Sequence, residues 1–403
     1  MTVLDGPGPD VAILADDLTS AADGAAPFRG GGLPARILFA APDPAVVRGG
    51  GVTAVDLGSR VLDEAAAAAA TERAARLRRG SAVLFKTVDS TLRGHVVAEA
   101  KAAWAGSRRR AVVIAPAFPA EGRETVDAVQ YVRGVPVHES DYARDPVHPV
   151  RCSDLAVLFP TAARVGPGRA AELPRLVRAG GPIVCSARTD ADLDRLVAAV
   201  PRLDDVLWVG SPGLAAALAR RCAHAVEATA PPVPPARRPL VVVGSAHPAT
   251  RRQLAALHAR EDVQGITVGD DPAGDTEALR GLTAPVLTLR TPDTRHPPLI
   301  ARDFVRSMAA HIRTLLTEHR VDALVVTGGE TATTVLRALD ITGLHLLDEP
   351  EPGIALGTPL GRPGLPAPAG PPVLVKAGGF GDDDLLLRLC RLVRTPADQG
   401  ERA

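Results

Sequence analysis

Short apolar runs of four to six residues alternate with Ala- and Arg-rich amphipathic stretches along most of the chain. Because a strand that is buried on both faces reads as a continuous apolar run, this alternation predicts β-α units around a mainly parallel sheet. The strands predicted in the first half are residues 11–14, 36–39, 52–57, 82–85, 111–114, 182–185 and 206–209. The clearest helix between them is 63–79, where a run of alanines supplies high helix propensity.

The regular pattern breaks between residues 116 and 150 into pieces separated by Pro and Gly. The segment 131–137 has the composition of a hairpin, and the rest predicts a long loop. Since long loops in compact domains are often functional, we expect this segment to cover a ligand.

A Pro-rich segment at 230–239 predicts a stiff linker between two domains, 1–229 and 240–403. The strands predicted after it are 240–243, 265–268, 285–289, 323–326 and 373–375, with helices at 248–260 and 333–339. The predicted fold class is therefore α/β, with two doubly wound domains, although the halves show no internal sequence repeat.

Composition favours a small-molecule partner. The 403 residues carry 46 basic and 46 acidic side chains and only 3% aromatics, which leaves neither a basic field nor stacking surfaces for nucleic acid. The four cysteines form no C-x-x-C pair, so they are interpreted as thiols in a reducing compartment. No basic-then-apolar leader opens the chain and no apolar stretch approaches about 18 residues, so we expect a soluble cytoplasmic protein with no membrane partner.

A dense polar cluster follows the predicted strand 82–85. It contains Lys86, Asp89, Ser90, Thr91 and Arg93. Because open α/β sheets bind ligands at the carboxyl ends of their strands, this cluster predicts a site for a small, anionic, hydroxylated molecule. The alternative is a capped helix start, with Asp89 or Ser90 as the cap and Lys86 in solvent.

Three glycine-containing turns follow predicted strands of the second half, at 244–245, 327–332 and 376–381. Glycine lets the backbone approach a ligand and aim amide groups at it, which suits a phosphate. A single turn of this kind is usually only a tight connection, but three in one domain favour a nucleotide site.

With these segments identified, the chain resembles the four-carbon acid sugar kinase family, whose members phosphorylate threonate, erythronate or 3-oxo-tetronate with ATP. The segments that carry the resemblance are 15–21, 89–94, 115–119 with 122–123, 145–146 with Pro149, 210–215, 327–332 and 376–381. They occur in family order over essentially the whole chain.

The resemblance implies an amino-terminal domain for the acid sugar, a carboxyl-terminal domain for the nucleotide, and an active site in the interdomain cleft. The residues expected around the sugar acid are Asp16, Asp17, Arg60, Lys86, Asp89, Ser90 and Arg93. Those expected to contact ATP are Ser245, Gly328, Gly329, Glu330, Thr331, Gly378 and Gly379.

Three positions depart from the family pattern. Ser20 stands where Gly is usual, His95 where Asn is common, and His247 where a second Ser is common. Ser20 and His95 could signal a related acid, or Ser20 could be a neutral change near a helix start. His247 puts part of the nucleotide contact in doubt.

Phosphoryl transfer asks the protein mainly to position two substrates and neutralise charge. We expect Asp16 or Asp17 to accept the proton of the attacking hydroxyl, with Asp89 as the second choice. Either of the first two could instead cap a helix at 18–26.

The substrate carboxylate is expected to meet the cations of the same cluster. Arg93 with Lys86 should hold it, and Arg60 either assists or pairs with a nearby acid in solvent.

Mg²⁺ is expected with ATP, and Glu330 or Asp382 are its candidate ligands, although the metal site is left unassigned. Two other functions remain open: a non-catalytic sensor of an organic acid, and a lyase that uses Lys86 for a Schiff base. The sequence also leaves open which acid is used and whether the active unit is a homodimer.

Overall fold

The computed structural model describes residues 8–40, 50–145, 148–223, 235–244, 247–269, 271–292, 298–361 and 370–394, with the backbone alone at 298–302. The chain divides into two compact units, Met1–Ala228 and Thr229–Ala403. Half of the predicted linker, residues 230–234, and the predicted nucleotide ligand Ser245 lie outside the described residues.

Unit 1 is built on a parallel sheet with helices between its strands. The strands are β1 (Asp10–Ala15), β2 (Ala35–Leu38), β3 (Gly51–Asp56), β4 (Val83–Thr87), β5 (Ala111–Ala115), β6 (Arg123–Val126), β7 (Val129–Val132), β8 (Val135–Pro136), β9 (Ala163–Val165), β10 (Gly181–Cys185) and β11 (Val206–Gly210). The helices are α1 (Leu18–Gly30), α2 (Glu64–Leu77), α3 (Val96–Ser107), α4 (Leu155–Leu158), α5 (Leu173–Ala179), α6 (Asp190–Ala199) and α7 (Pro212–Cys222). All seven strands predicted for this half are present, and the predicted hairpin is confirmed as β7 and β8.

The strand order of the main sheet in unit 1 is β2-β3-β1-β4-β11-β5-β10-β9, and every neighbouring pair is parallel. The chain leaves β1 toward β2 and β3 on one side and later enters β4 on the other. Loops that diverge in this way open a crevice at the carboxyl ends of the strands. The crevice of unit 1 therefore lies after β1 and β4. Strands β6, β7 and β8 form a separate antiparallel sheet.

Unit 2 repeats the order of the first four strands of unit 1, but it also contains antiparallel pairs. Its strands are β12 (Pro239–Val243), β13 (Val263–Thr267), β14 (Val286–Arg290), β15 (Ala323–Thr327), β16 (Gly343–Glu351), β17 (Ile354–Leu360) and β18 (Val373–Lys376). Its helices are α8 (Pro248–His258), α9 (Pro272–Gly281), α10 (Pro298–Thr317), α11 (Gly329–Ala338) and α12 (Leu385–Arg394). The order β13-β14-β12-β15-β18-β17-β16 places a second crevice after β12 and β15.

The antiparallel strands β16 and β17 were not predicted. The end of β16 and the turn after it read Asp-Glu-Pro-Glu-Pro-Gly at 348–353, a turn composition that hides the strand. Helix α11 begins at Gly329, earlier than the predicted start at residue 333, because the glycine turn itself forms the first helical turn.

In the part of the chain that the structure describes, no helix has the length and apolar character needed to cross a bilayer.

Helices α2 and α3 cover one face of the unit 1 sheet and approach each other closely at Gly106. A Cβ atom added at Gly106 would lie 2.2 Å from the backbone oxygen of Glu72 and 3.1 Å from Cβ of Ala75. The small residues of α2, including buried Ala67, Ala74 and Ala75, permit this close packing.

We expect Gly106→Ala to lower the free energy of unfolding of unit 1 by about 1–3 kcal/mol, because the backbone of α2 has to move away. Gly80→Ala is the matched control, since nothing lies within 4 Å of its Cβ position. Urea unfolding followed by tryptophan fluorescence measures unit 1 alone, because Trp104 and Trp208 are the two tryptophans of the sequence. Equal midpoints for the two variants would show that the helices are not packed this tightly.

Candidate active site

The crevice of unit 1 is lined by charged residues that follow three neighbouring strands. Asp16 and Asp17 come directly after β1, Arg60 lies in a short 3-10 helix (Ser59–Val61) after β3, and the segment Asp89 to Arg93 follows β4. Because β3, β1 and β4 are adjacent, the fold brings these predicted site residues together.

Arg60 is the centre of this cluster. Its guanidinium lies 2.8 Å from Oδ2 of Asp16 and 3.0 Å from Oδ2 of Asp17, and its Nη1 lies 4.0 Å from Oδ2 of Asp89. Burial disfavours the arginine charge, but the three carboxylates outweigh it and raise the pKa of Arg60 above its usual range. The expected pairing of Arg60 with a nearby acid is thus seen, although in a largely buried network rather than in solvent.

Asp16 is held ionised, and one of its oxygens is buried without a hydrogen-bond partner among the described residues; it is called the open oxygen below because it has no partner. Burial acts to raise its pKa, but the charges of Arg60 and Lys86, with hydrogen bonds from Ser20 and Arg60, lower the pKa to about 2. The residue is only 5% exposed, and its Oδ1 has no hydrogen-bond partner within the described residues. A buried acceptor without a partner costs free energy, which a ligand hydroxyl would recover.

Asp17 has a different role, because its side chain caps helix α1. Its Oδ1 accepts hydrogen bonds from the backbone N–H of Ser20 at 2.7 Å and from the hydroxyl of Thr19 at 2.8 Å. The helix-cap alternative therefore applies to Asp17 and leaves Asp16 with the open oxygen.

Asp89 and Arg93 form a hydrogen-bonded ion pair, and each also contacts neighbouring groups. Oδ1 of Asp89 accepts from the backbone and the hydroxyl of Thr91, both at 2.8 Å, and Oδ2 accepts from Nε of Arg93 at 2.6 Å. Burial acts to raise the pKa of Asp89, but Arg93 and Arg60 hold it below its usual range. The alternative that Asp89 or Ser90 caps a helix is wrong, because α3 begins at Val96.

Arg93 also contacts two residues of the segment that follows β8. Its Nη1 lies 3.3 Å from Oδ2 of Asp145, and its guanidinium lies over the ring of Tyr142, 5.2 Å from the centroid. A ligand carboxylate at Arg93 would have to compete with Asp89 and Asp145 at once.

Lys86 lies inside β4 and is fully buried. Its Nζ is 3.0 Å from Oε2 of Glu99 and donates a hydrogen bond of 2.6 Å to the carbonyl of Thr87. It therefore presents no exposed surface to a ligand, and its charge acts on the site through Asp16. This ion pair also argues against the Schiff-base alternative, which needs an amine without a counter-ion.

The antiparallel sheet of unit 1 contacts the loop after β4 at Ser90. The hydroxyl of Ser90 accepts a hydrogen bond of 2.9 Å from Nη1 of Arg123, and the side-chain amide of Gln130 donates to the carbonyl of Ser90 at 2.8 Å. Arg123 was recognised in the sequence only as part of a family segment. No local pattern assigned it to the site.

Two histidines brace the turn that carries Arg60. Nε2 of His148 lies 2.8 Å from the carbonyl of Arg60, and Nε2 of His95 lies 2.8 Å from the carbonyl of Leu62. The two rings meet edge to face, with centroids 5.3 Å apart. His95, one of the departures from the family pattern, thus supports the position of Arg60. His148 does the same, although no sequence pattern singled it out.

The crevice of unit 2 gathers the three glycine turns. The backbone N–H of Gly328 donates to the carbonyl of Lys376 at 2.8 Å, which joins the ends of β15 and β18. A Cβ atom at Gly244 would lie 2.2 Å from Oγ1 of Thr331, so only glycine permits this approach of β12 to α11. Gly328 itself has φ +89°, a conformation that favours glycine.

Side chains of helix α8 hold the turn after β18 in place. The hydroxyl of Thr250 donates to the carbonyl of Gly378 at 2.6 Å, and the amide of Gln253 donates to the carbonyls of Phe380, Gly381 and Asp382. His247, another departure from the family pattern, caps α8 through Nδ1, and a Cβ atom at Gly379 would lie 3.2 Å from its Nε2. The predicted residues Gly378 and Gly379 are therefore fixed in place.

Three features of this crevice suit a phosphate chain. Helix α11 points its amino terminus at the crevice, and Oγ1 of Thr327 is buried with no hydrogen-bond partner among the described residues. Lys376 is fully buried, and its Nζ donates to the carbonyls of Ala377 and Gly378, at 2.8 and 3.2 Å. No carboxylate of the described chain lies within ion-pair distance of it, and burial lowers its pKa to about 8.

The candidate magnesium ligands do not form a protein cage. Glu330 is exposed in the first turn of α11, and Asp382 pairs with Nη1 of Arg388 at 2.7 Å. Over the described ranges, no group of three His, Cys, Asp or Glu side chains converges on a metal position. A magnesium ion here would depend on phosphate oxygens and water, as is usual for this ion.

Comparison with known families assigns one model to each unit. A family described as a sugar-binding N-terminal domain matches residues 11–218, and a family described as a nucleotide-binding C-terminal domain matches residues 240–386.

Two curated relatives align over almost the whole chain. A D-threonate kinase of Bordetella bronchiseptica is 38% identical and the alignment covers 96% of this chain and 98% of the relative. A 3-oxo-tetronate kinase of Methylobacterium radiotolerans is 30% identical over 93% of this chain and 97% of the relative.

Solved structures have the same fold. A protein of Salmonella typhimurium LT2 superposes with a TM-score of 0.77 at 22% identity, over 95% of this chain and 99% of that one. A Bordetella bronchiseptica domain of unknown function, crystallised with bound citrate as a domain-swapped dimer, has a TM-score of 0.50 at 37% identity, over 96% of this chain and 98% of that one.

The buried amine of Lys376 makes the stability of unit 2 depend on pH. Its pKa is 10.5 in the unfolded chain and about 8 in the folded one, so the unfolded state binds more protons between these values. Stability therefore rises with pH through this window. We expect the free energy of unfolding of the wild type, relative to Lys376→Met, to increase by about 2 kcal/mol from about pH 7.5 to about pH 9.5.

Urea unfolding followed by circular dichroism at both pH values measures this difference. Lys101→Met removes an exposed lysine and is the control, for which no such rise is expected. If Lys376→Met and Lys101→Met show the same pH dependence, the amine of Lys376 is not buried as described.

Proposed function

Because this chain belongs to the four-carbon acid sugar kinase family, we propose that it is an ATP-dependent kinase that phosphorylates a hydroxyl of a four-carbon sugar acid or a closely related acid. The observation that carries the proposal is the open Oδ1 of Asp16, an ionised and buried acceptor in the crevice of the sugar-binding unit. A hydroxyl donor is the natural partner of such an oxygen.

In this proposal Asp16 orients the attacking hydroxyl. A carboxylate with a pKa of about 2 is a weak base, so its main contribution is to hold the hydroxyl in line and to accept the proton late in the transfer. The loose transition state of phosphoryl transfer demands little more than this positioning. Arg60 keeps Asp16 ionised and fixed, and Asp17 secures α1 behind it.

We further propose that unit 2 holds the nucleotide. The amino terminus of α11, the hydroxyl of Thr327 and the turn of Gly378 and Gly379 would contact its phosphates, and Ser245 stays a prediction. Mg²⁺, when bound with ATP, would neutralise charge on the phosphates. The uncompensated charge of buried Lys376 supports the binding of a polyanion near this turn.

The proposed substrates are threonate and its relatives, on the precedent of the D-threonate and 3-oxo-tetronate kinases. Ser20 lies beside the site, with its hydroxyl 3.3 Å from Nη2 of Arg60, so it is placed to influence the choice of acid. A homodimer is the proposed assembly, by analogy with the domain-swapped Bordetella protein, and light scattering of the full chain measures it.

The direct test is ADP release with a panel of acids that includes D-threonate, D-erythronate and a 3-oxo-tetronate. We expect ATP to be consumed only in the presence of one of these acids, because water is a poor substitute for an oriented hydroxyl. Binding of an acid without ADP release would favour the sensor alternative. Consumption of an acid without ATP would favour a lyase.

Substitution of Asp16 and of Asp17 should distinguish a residue that takes part in the reaction from one that caps a helix. Asp16→Asn is expected to lower kcat by about 10²–10⁴-fold, since the amide cannot accept the proton. Asp17→Asn should lose less than about tenfold, because Asn caps a helix as well as Asp. Steady-state kinetics with the active acid gives both values. Near wild-type rates for Asp16→Asn would remove this residue from the reaction.

A further inference from the structure

Most cations in the crevice of unit 1 already have carboxylate partners. Arg60 pairs with Asp16 and Asp17, Arg93 with Asp89 and Asp145, and Lys86 with Glu99. A ligand carboxylate that approached any of them would displace an existing ion pair and be repelled by the displaced acid. These residues therefore favour hydroxyl groups as ligands more than a carboxylate.

Arg123 is different. Within the described ranges, its side chain donates one hydrogen bond, from Nη1 to the hydroxyl of Ser90, at 2.9 Å. Its Nε is buried and unpaired, and no carboxylate in the described part of the chain forms an ion pair with it. The edge formed by Nε and Nη2, which binds carboxylates in two parallel hydrogen bonds, has no protein partner among those residues.

The backbone around Arg123 is fixed. It is the first residue of β6, where it stands opposite Val132 of β7, and it exchanges two backbone hydrogen bonds with Phe118, of 2.7 and 3.1 Å. The hydrogen bond to Ser90 then directs the guanidinium toward the loop after β4. An arginine held in this way loses little further freedom when a ligand binds.

We propose that Arg123 receives the carboxylate of the sugar acid on its Nε and Nη2 edge. This inference deepens the proposed function and rests on it. It gives the substrate a polarity: the acid end lies at β6, and the hydroxyl end lies toward Asp16. The paired carboxylates Asp16 and Asp89 reinforce this polarity, because they repel the acid end and accept hydrogen bonds from the alcohols.

The consequence is that Arg123 distinguishes a sugar acid from the corresponding polyol. A site built to pair a charge loses affinity when that charge is absent, because a polyol offers the guanidinium only a neutral hydroxyl oxygen, which neither balances the charge nor accepts two parallel hydrogen bonds. Removal of Arg123 should therefore weaken binding of the acid and leave binding of the polyol unchanged.

The test uses Arg123→Gln in the full chain, with the acid that the panel identifies and the tetritol of the same configuration as a competitive inhibitor. We expect KM for the acid to rise by about 10–100-fold with a much smaller change in kcat, and the inhibition constant of the tetritol to stay the same. For Arg123→Lys we expect a KM for the acid between those of the wild type and Arg123→Gln, because lysine keeps the charge but cannot form two parallel hydrogen bonds.

Arg133→Gln is the matched control. Arg133 is an exposed cation in the turn between β7 and β8 of the same small sheet, and its removal should change neither constant. Calorimetric titration of the acid without ATP gives its affinity independently of turnover. Near-ultraviolet circular dichroism reports folding, and Arg123→Lys carries the test if Arg123→Gln does not fold.

Two results would overturn the proposal. One is unchanged affinity for the acid in Arg123→Gln or, where that variant does not fold, in Arg123→Lys. The other is an equal loss for the acid and the tetritol, which would make Arg123 a positioning residue that acts through Ser90. A wild-type protein that neither binds nor phosphorylates any acid of the panel would instead refute the proposed function itself.

Discussion

The ion pair between Arg60 and Asp16 is the interaction on which the candidate site depends. A carboxylate that is almost fully buried stays charged only if nearby cations offset its desolvation, and Arg60 supplies the larger part of that offset, with Lys86 second. The position of Arg60 is in turn secured from two directions. His95 and His148 bind the carbonyls of its turn, and the hydroxyl of Ser59 binds Glu99. The position of the open oxygen of Asp16 thus depends on a series of contacts that extends into the buried interior of unit 1.

The two units share a strand order around their first strand, yet they prepare their crevices by different chemistry. Unit 1 uses paired side-chain charges, which suit a ligand with several hydroxyls. Unit 2 uses backbone amides and glycine, which suit the many oxygens of a phosphate chain. Two buried lysines illustrate the contrast. Lys86 and Lys376 are each one of the last two residues of a strand and donate to the carbonyl of the next residue, but among the described residues only Lys86 has an acid partner, Glu99.

Much of the fold followed from the sequence, because strands buried on both faces leave continuous apolar runs that few other structures produce. The site was predicted less completely. The sequence located Asp16, Asp17 and Asp89, but it could not tell which of them would cap a helix or keep an open oxygen. Lys86 was predicted to hold the substrate carboxylate, but it is buried and paired with Glu99, an acid on a helix that the sequence did not connect with it. No local sequence pattern singled out Arg123. Its proposed role follows from the three-dimensional structure, because the neighbouring cations already have carboxylate partners.

The most direct test of this account is the pKa of Asp16, measured by carbon-13 NMR of labelled aspartate side chains in the wild type and in Arg60→Gln. The account predicts a pKa of about 2 in the wild type and a clearly higher value in the variant, where only Lys86 and Ser20 still oppose the effect of burial. An ordinary pKa in the wild type that does not move in Arg60→Gln would contradict it.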